Sequence, residues 1–186
     1  MNPAGGFGLG QVEAVRSMVT EAFVDMLASC GRVAERIDPR ADSVFAERHI
    51  AGFIGFGGGV RGSLVIAASS AVFQQTYPQT PRSLVTLSSA DLLDWAGEMA
   101  NQTLGRIKRR FCKRGVDFEA STPTAVNGRH IGARSPSREG IIDLAFAVGD
   151  EIVCVCFEIV PPRDGIVFRD TAVPIECSVE GELVLF

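Results

Sequence analysis

The chain is poor in the side chains that carry most enzyme chemistry. It holds two histidines, His49 and His130, and neither stands at ligand spacing from a second His or Cys, so no zinc-type cluster is legible. Its five cysteines include no CxxC pair, which removes the usual thiol-redox and zinc-ribbon signatures. No apolar run reaches the roughly 18 residues of a membrane-spanning helix. Residues Met1 to Gly6 contain neither a basic leader nor an apolar signal core. A net charge of −4 and a pI near 5.2 lack the basic footprint that nucleic-acid binding needs. The expectation is a cytoplasmic protein with no nucleic-acid or membrane partner and no metal of its own.

What is present is enough apolar material for a sizeable core. With 46% hydrophobic and 22% charged residues over 186 positions, one globular domain is expected. A Gly-rich flexible segment is expected at 1–10, the domain at 11–160, and an extension at 161–186 with further strands. Val12, Val15, Val19, Phe23, Met26 and Leu27 form a helical stripe, and the helix is read from Gln11 to about Ile37, where Asp38-Pro39 closes it. Two apolar runs, 48–56 and 60–67, flank three glycines and predict a hairpin. These glycines lack the Lys-Ser or Lys-Thr that a phosphate-cradling loop requires. A short helix is predicted at 71–75, a loop-rich stretch at 123–138, and two strands at 140–148 and 152–160 joined at Gly149-Asp150. Cys154 and Cys156 lie two apart on the second of these strands and read as buried, reduced, hydrophobe-like thiols. The fold class is α+β, a largely antiparallel sheet with two long helices packed on it.

The second long helix is predicted from 88 to 114, with Ser88 or Ser89 as N-cap and Asp91 in its first turn. Leu92, Leu93, Ala96, Ala100, Thr103, Leu104, Ile107 and Phe111 form its apolar side. Asp94, Glu98 and Asn101 fall within roughly 60° of one another on the other side, and Asp91, Gln102 and Gly105 share that face. A carboxylate and a carboxamide one turn apart can position a water molecule. The same spacing also describes an ordinary solvated helix face. At the end of the helix Lys108, Arg109, Arg110, Lys113 and Arg114 crowd together. They suit an acidic partner, and dipole complementation or solubility explains them as well.

Asp94, Glu98 and Asn101, with Pro123 further on, resemble the helix signature of the CheC/CheX/FliY chemotaxis phosphatases. Gly105, the N-terminal helix and the strand through Val60-Arg61-Gly62-Ser63-Leu64 are also similar to that family. One copy of the signature is most like the CheX branch, in which the protein is a homodimer. The resemblance implies hydrolysis of the aspartyl phosphate of a CheY-type receiver domain, with Mg²⁺ and a lysine supplied by that partner. It implies that Asn101 holds the attacking water, that Glu98 meets the partner's lysine, and that Asp94, Gln102 and Gly105 lie in the contact. It leaves a non-catalytic receiver-binding or flagellar-switch module as the alternative. The apolar strand from Ile152 to Val160 is the candidate dimer interface.

Overall fold

The computed structural model describes residues 9–38, 50–78, 87–128, 140–160 and 168. Its elements are helix α1 (Leu9–Ser29), strands β1 (Glu35–Ile37), β2 (Ile50–Gly58) and β3 (Arg61–Ala68), helices α2 (Ser70–Thr76) and α3 (Ser89–Cys112), and strands β4 (Phe118–Ala120), β5 (Thr124–Asn127), β6 (Ile141–Val148) and β7 (Glu151–Val160). The seven strands form one sheet in the order β1-β6-β7-β3-β2-β4, and β5 pairs with β2 alongside β4. Every pairing is antiparallel. The expected α+β architecture is therefore the observed one, with the helices on one face.

Alternation along the strands decides that face. Ile54, Phe56, Leu64, Ile66, Leu144, Phe146, Val155 and Phe157 point to the helices and are buried with Val19, Phe23 and Met26 of α1 and Ala96, Leu104 and Phe111 of α3. Phe23 meets Phe146 with ring centroids 4.8 Å apart. Phe111 stands edge-on to Phe118 at 5.7 Å and to Phe168 at 5.6 Å. The opposite face has a smaller cluster of Ala51, Val65 and Ala67, with Phe53 and Cys156 beside it. Burial, and Asp143 next to it, push the Cys156 thiol up to about 12, so it stays protonated and packs as a small hydrophobe.

Three expectations change. The first helix ends at Ser29, not near Ile37, and already includes Leu9 and Gly10. Gly31 takes φ +70°, and the N–H groups of Arg32 and Gly31 bond to the carbonyls of Leu27 and Ala28. That double bond pattern closes a helix where a left-handed residue is available, and the chain continues as β1. Within the stretch read as loop, Thr124–Asn127 is a strand, because the exposed edge of β2 from Ile50 to Phe53 offers it a ladder.

The third change concerns β7. It pairs with β3 along one edge and β6 along the other, so neither of its edges is open to a second copy. Its apolar run reflects a central position with both edges paired. The 1–8 part of the expected flexible N-terminus, and the extension beyond 160 apart from Phe168, lie outside the described residues.

Candidate functional site

Helix α3 begins where expected. The Ser88 hydroxyl accepts from the Asp91 N–H, while the Asp91 carboxylate accepts from the Ser88 N–H at 2.8 Å. These reciprocal bonds satisfy two donors that a helix start leaves open. The Ser88 hydroxyl also donates to the Asp91 carboxylate at 2.6 Å, and this bond, followed by that from the Ser88 N–H, holds the Asp91 carboxyl below its ordinary value. At the other end Gly115, at φ +81°, turns the chain, and Val116 and Gly115 donate to the carbonyls of Phe111 and Cys112.

Packing fixes the rotation of α3 between these ends. Leu92, Trp95, Ala96, Met99, Ala100, Thr103, Leu104, Ile107 and Phe111 are buried. The Trp95 ring nitrogen donates to the Thr76 hydroxyl of α2 at 3.0 Å. Gly52 of β2 lets the helix backbone press against the sheet at Ala96. With that side committed, Asp94, Glu98, Asn101 and Gly105 face outward and are exposed, while Gln102 is half-buried.

The structure joins three of the five expected residues. Gln102 donates its amide N–H to Glu98 Oε1 at 2.9 Å, and Asn101 donates Nδ2–H to Glu98 Oε2 at 3.4 Å. The carboxylate is thus held by a firm bond on one oxygen and a long, weak one on the other. In this arrangement the Asn101 oxygen is turned away from Glu98. Asp94 stands one turn before Glu98, outside that network. Gly105 is a bare spot: a Cβ there would have nothing within 4 Å. Pro123 comes to the helix beside Gly97, where an added Cβ would lie 3.7 Å from the proline Cβ.

The family resemblance implies Gln102 in the partner contact, and its role as the brace of Glu98 is signalled in the sequence only by its position four residues on from an acid. The close approach at Gly52 has a sequence signal too, a glycine inside an apolar strand. Among the described residues, no group of three His, Cys, Asp or Glu side chains is placed to hold a metal ion, and no helix is long and apolar enough to cross a membrane.

The surface is therefore a rigid helix displaying a braced carboxylate and a carboxamide. It can orient a water or dock a cation.

The family model described as "Chemotaxis phosphatase CheX" matches residues 50–147, just over half of the chain. The match runs from β2 through the whole of α3 and into β6, and leaves out β1 and β7. No curated protein matches the sequence. Among solved structures, the chemotaxis protein CheX from Vibrio vulnificus is similar with a TM-score of 0.63 and 21% identity, covering 78% of this chain and 96% of that one. CheX from Desulfovibrio desulfuricans gives 0.64 at 16% identity, covering 79% and 99%. The CheX–CheY–BeF3–Mg²⁺ complex from Borrelia burgdorferi gives 0.58 at 17% identity, covering 80% and 96%.

Proposed function

This chain belongs to the chemotaxis phosphatase CheX family, and on that premise we propose that it hydrolyses the aspartyl phosphate of a CheY-type receiver domain. The observation that carries the reading is the exposed pair on α3, Glu98 and Asn101, joined to each other and braced by Gln102.

The chemistry asks little of the protein. An aspartyl phosphate is a reactive acyl phosphate, and water attacking phosphorus in line breaks the bond to the carboxyl oxygen. Aspartate leaves as a carboxylate, and the proton of the water passes to the phosphate. What remains is a proximity and orientation task. The Asn101 oxygen accepts a hydrogen bond from the water without ionising at any working pH. Glu98 pairs with a cationic group of the partner and seats the helix. Gln102 keeps that carboxylate aimed outward before the partner arrives. The magnesium is the partner's; the Borrelia complex carries it together with CheY and BeF3. Asp94 and Gly105 border the contact.

A homodimer is part of the same proposal. With β7 internal, the sheet edges among the described strands that remain for a second copy are β1 and the β4/β5 side. Light scattering at micromolar concentration tests it, and a monomer there would refute it.

The test of the activity is phosphate release from a panel of phosphorylated receiver domains with Mg²⁺. Wild-type protein accelerates release from at least one, and Asn101→Ala does not. Binding to a receiver without any acceleration would replace this reading with the non-catalytic docking module.

A further inference from the structure

The outward face of α3 does not end at Asn101. Along it the charge is segregated. Asp91, Asp94 and Glu98 occupy the N-terminal half, Gly105 leaves a bare patch, and Lys108, Arg109 and Lys113 follow. At 100° per residue, Arg109 lies within roughly 80° of Asn101 and about 12 Å further along the axis.

The basic residues at this end are not equivalent. Arg110 is engaged with Glu21 and Asp25 of α1. Arg106 donates to the Ser29 hydroxyl and the Gln102 carbonyl. Lys108 pairs with Asp117 at 3.7 Å. Arg109 and Lys113 are exposed and border a groove shared with Glu13, Glu21 and Asp25 of α1, but neither side chain is in an ion pair among the described residues. Complementing the helix dipole needs one or two cations in the last turn, and Arg110 already stands there. Two further cations projecting past a bare glycine go beyond that need.

We propose that the partner seated on Glu98 and Asn101 also covers Gly105 and presents an acidic patch to Arg109 and Lys113, so that this face of α3 is one docking strip with opposite charge at its two ends. The inference rests on the receiver-domain reading above and adds what selects among receivers. An interface of ordinary size buries about 800 Å² per partner, a footprint wide enough to reach 12 Å from Asn101. A partner must then carry a basic group against Glu98 and acidic groups about three turns or more beyond it. The segregated charge also fixes direction, since a receiver docked the other way round along α3 meets like charge at both ends.

The experiment uses the full chain and a receiver domain that the wild-type protein dephosphorylates, with kcat and KM measured at low and high salt. Arg109→Glu raises KM about tenfold at low salt, leaves kcat within about twofold, and loses most of that effect at high salt. Adding Lys113→Glu raises KM further. Arg109→Gln, which keeps a good helix former, moves KM in the same direction by less. Arg61→Glu on the internal strand β3, an exposed residue away from α3, makes the same change in net charge and leaves KM unaltered. An unchanged KM in Arg109→Glu overturns the inference. So does an equal rise in Arg61→Glu, which would trace the effect to overall charge. A drop in unfolding temperature without a change in KM would assign Arg109 to the helix dipole and overturn it too. If the wild-type protein accelerates phosphate release from no receiver, the receiver-domain reading fails and this inference with it.

Discussion

A Cβ built on Gly52 would stand 2.1 Å from the carbonyl oxygen of Ala96, so β2 and α3 meet backbone to backbone. The helix is held there by the sheet, two residues before Glu98, and the outward pair inherits its position from that contact. Gly52→Ala must push two backbones apart, since neither has a side chain that can rotate away. Overpacking of this kind costs about 1–3 kcal/mol or more. Gly97→Ala is the opposite case. Its new Cβ meets only Pro123 at 3.7 Å, an ordinary contact, and replacing a helical glycine gains up to about 1 kcal/mol. Urea unfolding of the two variants should therefore move in opposite directions. A Gly52→Ala protein as stable as wild type would contradict the close approach.

Asn101→Ala separates chemistry from folding. The residue is exposed, its bond to Glu98 is long, and alanine is a better helix former by some tenths of a kcal/mol. The unfolding midpoint should hold or rise slightly. Receiver binding should stay within a few-fold, while the single-turnover rate falls by roughly a hundredfold, a typical loss when a positioned reacting group is removed. A single-turnover rate equal to wild type would end the water-holding role.

These contacts also show how far the sequence is readable. Helix α3 was legible because its start, period and stop are all local: Ser88 and Asp91, the apolar spacing, and Gly115. The end of α1 is less legible, because Asp38-Pro39 offers a later stop while the backbone turns at Gly31. Strand β5 has almost no local signal, being four largely exposed residues, and it exists because β2 offers an edge. The run at 152–160 was visible as a strand, but an apolar strand reads the same in the centre of a sheet and at an interface; only the pairings decide. For the site, spacing put Asp94, Glu98 and Asn101 on one face. It did not show which of their neighbours would grip the carboxylate, because that depends on side-chain rotamers.

Glu98 and Gln102 should differ in kind. Glu98→Ala removes the charge that we propose meets the partner's cation, so KM should rise and turnover fall. Gln102→Ala leaves that charge in place and frees it to rotate, since the 2.9 Å brace is gone. Restoring the carboxylate to its working rotamer then costs a fraction of the roughly 0.5–1.5 kcal/mol typical of one hydrogen bond. The expected result is a KM about two- to fourfold above wild type with kcat little changed, and Gln102→Glu should not rescue it, because like charges then face each other four residues apart. Equal losses in Glu98→Ala and Gln102→Ala, in both parameters, would mean that Gln102 touches the partner itself.

The helix cap gives a prediction whose sign follows from ionisation. The Asp91 carboxylate accepts from the Ser88 hydroxyl and N–H, and those bonds hold its folded value below the ordinary 3.8. A depressed carboxyl stabilises the fold when ionised. The contribution is fully present above the ordinary value and is lost as the pH falls through the lowered folded one. Asp91→Asn keeps the shape and removes the charge, so it imitates the protonated acid. Wild type should unfold at a higher temperature than Asp91→Asn at neutral pH, and the gap should close as the pH drops below 3.8. The charge also lies at a helix start, where the dipole favours an anion and salt weakens the effect, so the neutral-pH gap should narrow at high salt. A gap that persists unchanged into strong acid would mean that the variant has lost the geometry of the cap and not its charge.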